Sequence, residues 1–291
     1  MSKIIITGAT GGFGGAAVQH LLALKVPASQ IAVVARSPQK AQAFAEQGIE
    51  VRYGDYDQPA SLTTAFADAS RLLFVSSPDM DNVVRARQHA AVIEAARNAK
   101  VGQIVYTGLA NPENMNMGLE KLHLASEYML RLTGIPFTIL RNTFYLEILA
   151  NPGLKGSLAS GELISATQGG RVNFALRSDM ARAAAVVLTT PGHENKIYTL
   201  TSPQAYSYDE IAALLSRVSG QPVRHLDLPA PEAAARMQAA GMPEGMAAFM
   251  VYAVYAAIAA GQFAPVTDDL VNLIGKENLT GYEQALRAAL A

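Results

Sequence analysis

The fold of this chain is decided by the segment Lys3-Ile4-Ile5-Ile6-Thr7-Gly8-Ala9-Thr10-Gly11-Gly12-Phe13-Gly14-Gly15. Its β-branched residues Ile4–Ile6 predict a buried strand, which is followed by a glycine-rich turn and then by a helical pattern. Gly8 permits the tight turn, Gly11 lets the backbone approach a pyrophosphate, and Gly14 lets the helix lie against the strand. The start of that helix directs free N–H groups and the positive end of its dipole at phosphates. The segment therefore predicts a dinucleotide-binding site. The expected contacts come from Gly8, Thr10, Gly11, Gly12, Phe13 and Gly14.

The end of the second predicted strand indicates which dinucleotide is bound. NAD-binding chains usually have an acidic residue here, which accepts a hydrogen bond from the ribose 2′-OH. This chain has Arg36 instead, with Lys40 close behind. A guanidinium pairs with a 2′-phosphate through two charge-assisted hydrogen bonds, whereas a carboxylate would repel it. A solvated arginine at a strand end is the alternative interpretation. The pattern favours NADP(H) over NAD(H), with Arg36 and Lys40 as ligands.

Alternation of strand and helix patterns predicts an α/β protein with a Rossmann-type, doubly wound parallel sheet. The predicted strands are Ile4–Ile6, Ile31–Ala35, Glu50–Tyr53, Leu72–Ser76, Ile104–Thr107 and Phe137–Leu140. The helical patterns lie near Gly15–Leu24, Pro38–Gln47, Pro59–Phe66, Val83–Ala99 and Leu119–Leu132. We expect an NADP(H)-binding domain over residues 1–142. Residues 143–291 are expected to form a smaller C-terminal substrate lobe that shares a core with it.

Ligands of such a sheet bind at the carboxyl ends of its strands, so the residues there are cofactor candidates. They are Asp55 and Tyr56 after the third strand, Ser76, Ser77 and Pro78 after the fourth, Tyr106, Thr107 and Gly108 at the fifth, and Asn142 after the sixth. Asp55 could accept a hydrogen bond from the adenine amino group, but an Asx turn explains it equally well. Tyr106 is equally compatible with a core residue whose hydroxyl finds a partner.

The second half of the sequence has weaker patterns. Ser178–Leu188 predicts a helix capped by Ser178 or Asp179, and Lys196–Thr201 predicts a strand. Ser207-Tyr208-Asp209-Glu210 matches a capping box for a helix that ends before Gly220. The uncharged run Met246–Ala260 is shorter than the roughly 18 apolar residues that a membrane span needs. It is expected to be a buried helix or one packed against a partner subunit.

Composition excludes several classes of function. The chain has 291 residues, half of them apolar, and a formal net charge of −1, which provides no broad basic surface for nucleic acid. It has no cysteine, so disulfides and thiolate chemistry are excluded, and its five histidines show no metal-ligand spacing. No signal-peptide pattern precedes the first strand. We therefore expect a cytoplasmic protein without a metal, a membrane segment or a nucleic-acid partner.

The glycine spacing resembles that of the extended or atypical short-chain dehydrogenases/reductases. Ordinary members carry Tyr-x-x-x-Lys on the helix after the fifth strand, where the tyrosine donates a proton and the lysine lowers its pKa. Here Leu119 and His123 occupy those two places. The departure, together with several segments, resembles the NmrA-like atypical branch over nearly the whole chain. Those segments are Val26–Ile31, Gly54–Tyr56, His123–Tyr128, Gly134–Pro136, Leu140–Asn142, Gly192–Lys196 and Asp268–Leu270.

The resemblance implies an NADPH-dependent reductase of quinone-like or conjugated cationic acceptors, and a homodimer. Such acceptors are strong electrophiles that can take a hydride without a protein acid, whereas a ketone needs a proton donor. His123 is then either a catalytic or ribose-binding residue, or a polar residue satisfied within the protein. Met115, Phe144 and Tyr145 are candidates for an apolar wall that binds a flat aromatic substrate, although such residues are more commonly core.

Two other functions compete with a reductase. NmrA-like proteins include regulators that bind NADP(H) and act through a partner protein without turnover, and the missing tyrosine and lysine suit them too. The segments quoted above match reductases better than regulators. An epimerase or dehydratase of nucleotide sugars is a third possibility, which Leu119 in place of the tyrosine disfavours.

Overall fold

The computed structural model describes residues 3–150 and 153–290, and within them a sheet of seven parallel strands forms the centre of the fold. Its strand order is β11-β6-β5-β4-β1-β2-β3. The predicted fold class is confirmed. The strands are β1 Lys3–Thr7, β2 Ile31–Ala35, β3 Glu50–Tyr53, β4 Ala69–Phe74, β5 Ile104–Leu109, β6 Phe137–Asn142, β7 Phe144–Tyr145, β8 Glu162–Ser165, β9 Arg171–Val172, β10 Phe174–Ala175, β11 Lys196–Leu200, β12 Tyr206–Ser207 and β13 Arg224–Asp227.

Helices cover both faces of this sheet and build most of the second half. They are α1 Gly12–Ala23, α2 Gln42–Ala45, α3 Pro59–Ala65, α4 Asn82–Asn98, α5 Leu119–Leu132, α6 Leu146–Ala150, α7 Gly153–Ser160, α8 Arg177–Thr189, α9 Tyr208–Ser219, α10 Ala230–Ala239, α11 Glu244–Phe249, α12 Ala256–Ala259, α13 Asp269–Ile274 and α14 Tyr282–Leu290. The prediction of one helix over Pro38–Gln47 was wrong, because a 3₁₀ turn over Pro38–Ala41 precedes the short α2. Strand β4 ends at Phe74, which leaves Ser76 in the loop beyond it.

The central sheet buries an apolar layer on each face. One layer joins Ile6 and Val33 to Leu21 of α1 and Met180 of α8. The other layer joins Ile5 and Phe74 of the sheet to residues of α3, α4 and α5, such as Leu62, Val92 and Leu130. Because α8 and strand β11 belong to the second half of the chain, residues beyond 143 complete both the sheet and one of its covering layers.

The second half has its own apolar cluster, built around Phe174, Tyr208 and Ile258. The capping box at Ser207 is confirmed, since its side chain accepts from the N–H of Glu210 and Glu210 bonds back. The predicted cap of α8 was wrong. That helix begins at Arg177 without a side-chain cap, because the Asp179 carboxylate instead accepts hydrogen bonds from the N–H and hydroxyl of Thr280.

The apolar run Met246–Ala260 forms α11, a π-helical segment over Met250–Tyr255, and α12. Val251 and Val254 are buried, whereas Met246, Phe249 and Tyr252 are exposed. The helix is therefore only half buried. In the part of the chain that the structure describes, none of the helices has the length and hydropathy of a membrane span.

Candidate functional site

The glycine turn, residues Gly8–Gly14, forms the centre of the candidate site. Gly8 has a φ of +61°, and its carbonyl accepts the N–H of Gly11 at 2.9 Å. A Cβ atom at Gly14 would lie 2.7 Å from the Gly8 carbonyl carbon, so only glycine lets α1 approach β1 this closely. Helix α1 has no side-chain cap and no acidic residue in its first turn. Its first N–H groups therefore have no partner within the helix and are available to an anion.

Thr7 and Tyr56 hold the ends of the two central strands together beside this turn. The Tyr56 hydroxyl lies 2.7 Å from the Thr7 Oγ1 and 2.8 Å from the Val75 carbonyl oxygen. The N–H of Val75 donates to the same Thr7 oxygen at 2.9 Å. Burial raises the pKa of Tyr56, so its phenol stays protonated. The hydroxyl of Tyr56, a candidate cofactor ligand, is thus already hydrogen-bonded within the protein.

Asp55 forms an Asx turn, which is one of the two roles that the sequence allowed for it. Its Oδ1 accepts the N–H of Asp57 at 3.1 Å. The Asp57 carboxylate in turn accepts from Arg87 at 3.3 Å and from Gln88 at 3.0 Å. Asp55 remains partly exposed at the end of β3, where an adenine contact stays a prediction.

Arg36 and Lys40 are exposed at the carboxyl end of β2. Among the residues that the structure describes, neither side chain forms an ion pair with a carboxylate. Two free cations at this strand end suit a phosphate, and a bound anion would not have to displace a protein carboxylate.

The loop after β4 is tied to its neighbours through its backbone and hydroxyl groups. The N–H of Ser76 donates to the Thr107 Oγ1 at 2.9 Å. The N–H of Ser77 donates to the His89 Nε2 at 2.9 Å, and the Ser77 hydroxyl donates to Gln88. These bonds hold Ser76 to Pro78 in place beside β5. Thr107 and Gly108 lie on β5 itself.

A group of four buried polar side chains lies between β5, α4 and α5, and we call it the histidine cluster. It consists of His89, Tyr106, His123 and Ser126. The Tyr106 hydroxyl and the His123 Nδ1 share a hydrogen bond of 2.7 Å, and the His89 Nδ1 lies 2.7 Å from the Ser126 Oγ. Because the His89 Nε2 accepts the Ser77 N–H, its proton resides on Nδ1 and the ring is neutral. Tyr106 is fully buried and His123 is 4% exposed.

Burial is the main cause that lowers the pKa of both histidines in this cluster to about 3. The Arg85 guanidinium acts in the same direction on both, and His89 adds to the effect on His123. At neutral pH both rings are therefore uncharged. Both ring nitrogens of His89 are hydrogen-bonded within the protein, and neither histidine is an imidazolium that could give a proton to a substrate at neutral pH.

The residues after β6 divide between two neighbourhoods. Phe144 packs edge-on against Phe174 and Phe263, with ring centroids 5.8 Å and 5.2 Å apart, in the apolar cluster that also contains Met115. Tyr145 instead faces the glycine turn, with its ring 6.5 Å from that of Phe13. The structure thus brings Met115 and Phe144 together and sets Tyr145 apart from them.

Asn142 is 3% exposed and has an unpaired atom. Its Nδ2 donates to the Tyr145 hydroxyl at 3.1 Å, but its Oδ1 is buried and accepts no hydrogen bond in the described structure. A buried acceptor without a partner carries a free-energy cost that a bound donor can remove. An amide of a ligand at the carboxyl end of β6 would supply such a donor.

Arg141 fixes the loop that carries Met115. Its guanidinium bonds the buried carboxylate of Glu127 on α5 at 2.9 Å and the exposed carboxylate of Glu113 in the loop at 2.7 Å. The neighbouring Gln262 accepts from Asn111 at 3.1 Å through its carbonyl oxygen. These contacts connect the end of β5 with the second half of the chain.

Arg177 lies at the site although the sequence offered no reason to include it, since an isolated basic residue is normally solvated. Its guanidinium carbon lies 4.5 Å from the centre of the Tyr145 ring, and a Cβ at Gly12 would lie 3.1 Å from its Cδ. An isolated arginine far along the chain has no local pattern that connects it with the glycine turn. Only the packing of α8 against α1 brings it there.

A second polar cluster has the geometry of a hydrolase triad but not its chemistry. Ser165 Oγ lies 2.7 Å from the His225 Nε2, and the His225 Nδ1 lies 2.8 Å from Asp209. Ser165 is fully buried, and the Asp227 carboxylate lies 3.1 Å from its hydroxyl. Asp227 also accepts the N–H of Thr167, a donor of the kind that an oxyanion would need. Within the described residues no group of three metal-ligating side chains converges either.

Comparison with known proteins decides the family. The NmrA-like family matches residues 1–277. The chain belongs to the NmrA-like family. Quinone oxidoreductase 2 of Escherichia coli (strain K12) is 39% identical over 278 residues, which are 95% of this chain and 95% of that protein. The predicted family is thereby confirmed.

Two solved structures of relatives contain the cofactor that the sequence predicts. Citrobacter sp. triphenylmethane reductase complexed with NADP(H) is 46% identical, with a TM-score of 0.94 over 99% of each chain. The NADPH-dependent quinone oxidoreductase of Escherichia coli complexed with NADPH is 36% identical, with a TM-score of 0.92 over 99% of this chain and 100% of that chain. The homodimer expected from the resemblance stays a prediction.

Proposed function

We propose that this NmrA-like protein is an oxidoreductase that uses NADPH to reduce quinone-like or conjugated cationic acceptors without a proton donor from the protein. The oxidoreductase class and NADPH as cofactor follow from its relatives, which reduce quinones or triphenylmethane dyes. The observation that carries the finer proposal is the pair of residues that stand where ordinary short-chain dehydrogenases/reductases have their tyrosine and lysine: neither is a charged acid at neutral pH. Leu119 begins α5 where a tyrosine would stand, and His123 is neutral.

The residues of the site fit NADPH. The glycine turn and the uncapped start of α1 suit a pyrophosphate, and Arg36 with Lys40 suits the 2′-phosphate. The unpaired Oδ1 of Asn142 suits an amide donor. We assign the nicotinamide end of the cofactor to the carboxyl end of β6 on this basis.

NADPH supplies a hydride when it is bound. The protein's own residues have to hold an acceptor against that end of the site and exclude water. Met115 and Phe144 belong to one apolar cluster at the end of β5 and β6, which suits the face of a flat aromatic acceptor. Orientation of this kind can supply roughly 7–11 kcal/mol toward a barrier. A hydride neutralises a cationic dye directly, whereas a quinone becomes a hydroquinone anion that takes its proton from solvent, so neither acceptor needs an acid from the protein.

The test is the rate of cofactor oxidation with a panel of benzoquinones, naphthoquinones and triphenylmethane dyes, followed by loss of nicotinamide absorbance. We expect turnover with NADPH on members of this panel, and none on simple ketones, which need a proton donor. Tight NADPH binding without turnover on any acceptor would contradict the proposal and favour a redox sensor that acts through a partner protein. The variant Leu119→Tyr restores a tyrosine at this position. Its rate of NADPH oxidation with simple ketones shows whether that tyrosine adds them to the acceptors.

A further inference from the structure

The Arg177 side chain places a positive charge beside the start of α1. A Cβ at Gly12 would lie 3.1 Å from its Cδ and 3.2 Å from its Nη1, so the guanidinium lies beside the first residue of α1. That end of α1 is itself electropositive, because its N–H groups and dipole are uncompensated by a cap or an acidic residue. Two positive groups this close repel each other, and an anion bound by both would turn that repulsion into attraction.

The neighbouring carboxylate does not neutralise Arg177. Both oxygens of Glu147 accept the backbone N–H of Arg177, at 3.0 Å and 3.3 Å, instead of its side chain. Among residues 3–150 and 153–290, the Arg177 guanidinium forms neither an ion pair nor a hydrogen bond, and it packs over the Tyr145 ring. Its donors are therefore left for a ligand.

The surroundings also hold the guanidinium in one orientation. Its carbon lies 4.5 Å above the centre of the Tyr145 ring, which is a cation–π contact, and the Tyr145 hydroxyl is fixed by Asn142 at 3.1 Å. Glu147 fixes the backbone of Arg177 at the start of α8. The fork of donors is thus preorganised beside Gly12, where no larger residue would leave it room.

We infer that Arg177, from the second half of the chain, binds the pyrophosphate of the dinucleotide from the side opposite the glycine turn. The inference rests on the proposed function, since it takes the ligand of the turn to be NADPH. The pyrophosphate would then be held by backbone N–H groups of α1 on one side and by a planar guanidinium on the other. Binding of the cofactor would join α1 to α8 through this contact.

The inference is tested by dissociation constants from titration calorimetry with three ligands: NADPH, NADH and adenosine 2′-monophosphate. Arg177→Gln should weaken NADPH and NADH by the same factor, about 10- to 100-fold, because both carry the pyrophosphate. Adenosine 2′-monophosphate, which lacks it, should bind the variant and the parent protein equally. Arg36→Ala should give the reverse pattern, with a loss for NADPH and adenosine 2′-monophosphate and none for NADH.

Two further variants separate charge from packing. Arg177→Lys keeps the charge but not the planar fork, so it should weaken the two dinucleotides less than Arg177→Gln does. Arg182→Gln removes the other arginine of α8 and should leave all three dissociation constants unchanged. Thermal unfolding of each variant checks that the fold survives.

The inference is overturned by unchanged NADPH and NADH affinities in folded Arg177→Gln, or by a loss for NADPH alone, which would place Arg177 on the 2′-phosphate. Failure of the proposed function looks different. In that case the parent protein binds no NADPH, or binds it and reduces none of the quinones and dyes. If the protein binds NADPH but reduces none of the acceptors, the dissociation constants still decide whether Arg177 binds the pyrophosphate.

Discussion

The glycine turn and the histidine cluster are both polar, yet they use their polar groups in opposite ways. In the histidine cluster, His89 is bonded at both ring nitrogens, and Tyr106 and His123 bond each other. At the glycine turn, the first N–H groups of α1 have no partner within the helix, and Asn142 has an unpaired buried oxygen nearby. Among the described residues the Arg177 guanidinium forms neither an ion pair nor a hydrogen bond and contacts only the Tyr145 ring. The difference teaches that a ligand site is marked by polar groups left unsatisfied, not by the number of titratable residues.

The largest expected effect comes from closing the glycine turn. In Gly14→Ala, the new Cβ would lie 2.7 Å from the Gly8 carbonyl carbon and 2.9 Å from the Ala9 Cα, so α1 has to move away from β1. We expect NADPH affinity to fall by more than about 100-fold and the free energy of unfolding to fall by about 1–3 kcal/mol. Calorimetric titration and denaturant unfolding measure the two losses.

Gly245→Ala is the matched control for this change. A Cβ there meets nothing within 4 Å, and the residue lies inside α11, where alanine is the better helix former. This variant should keep its NADPH affinity and be slightly more stable. Equal NADPH binding by Gly14→Ala and the parent protein would remove the glycine turn from the site.

Arg36→Ala should have the next largest effect. Loss of two charge-assisted hydrogen bonds to the 2′-phosphate should weaken NADPH by about 10- to 100-fold. NADH, which lacks that phosphate, should bind as before. The measurement is the ratio of the two dissociation constants, and an equal loss for both cofactors would contradict the assignment.

The histidine cluster should influence stability in acid and not turnover. Burial lowers the pKa of His89 and of His123 from 6.5 to about 3. The unfolded chain therefore binds more protons than the folded one between about pH 3 and pH 6.5, so stability falls as the pH falls through this window. Between about pH 7 and about pH 5, each histidine should lower the free energy of unfolding by about 2 kcal/mol.

His123→Gln tests both statements. Denaturant unfolding at the two pH values should show a smaller loss of stability in acid for the variant than for the parent protein. Turnover at neutral pH should change by less than about tenfold, because no imidazolium is used. A loss of more than about 100-fold in a folded variant would restore His123 as a general acid.

The smallest effect is expected at the cluster that resembles a hydrolase triad. Ser165→Ala removes a fully buried hydroxyl that bonds His225 and Asp227. NADPH binding and quinone turnover should stay within about twofold, while stability falls by about 1–3 kcal/mol through the lost hydrogen bonds. Ester hydrolysis by the parent protein that disappears in this variant would give the cluster a function of its own.

Local patterns predicted the fold well because they depend on neighbours in sequence. The glycine turn, each of the first six strands and the capping box at Ser207 are each encoded within one short segment, and the structure shows them all. The predicted cap of α8 was wrong because the Asp179 carboxylate accepts hydrogen bonds from Thr280, which lies 101 residues further along the chain. Arg177 escaped prediction for the same reason, since tertiary packing alone brings it to Gly12.

The central claim is that hydride transfer from the bound NADPH to its acceptor needs no proton from the protein. It is tested most directly by the pH dependence of NADPH oxidation with one benzoquinone and one triphenylmethane dye, measured for the parent protein and for His123→Gln. We predict that the parent protein and His123→Gln both oxidise NADPH with at least one of these acceptors, and that their rates have pH profiles of the same shape. Turnover that disappears in folded His123→Gln, or a rate limb in the parent profile that the variant lacks, would contradict the claim.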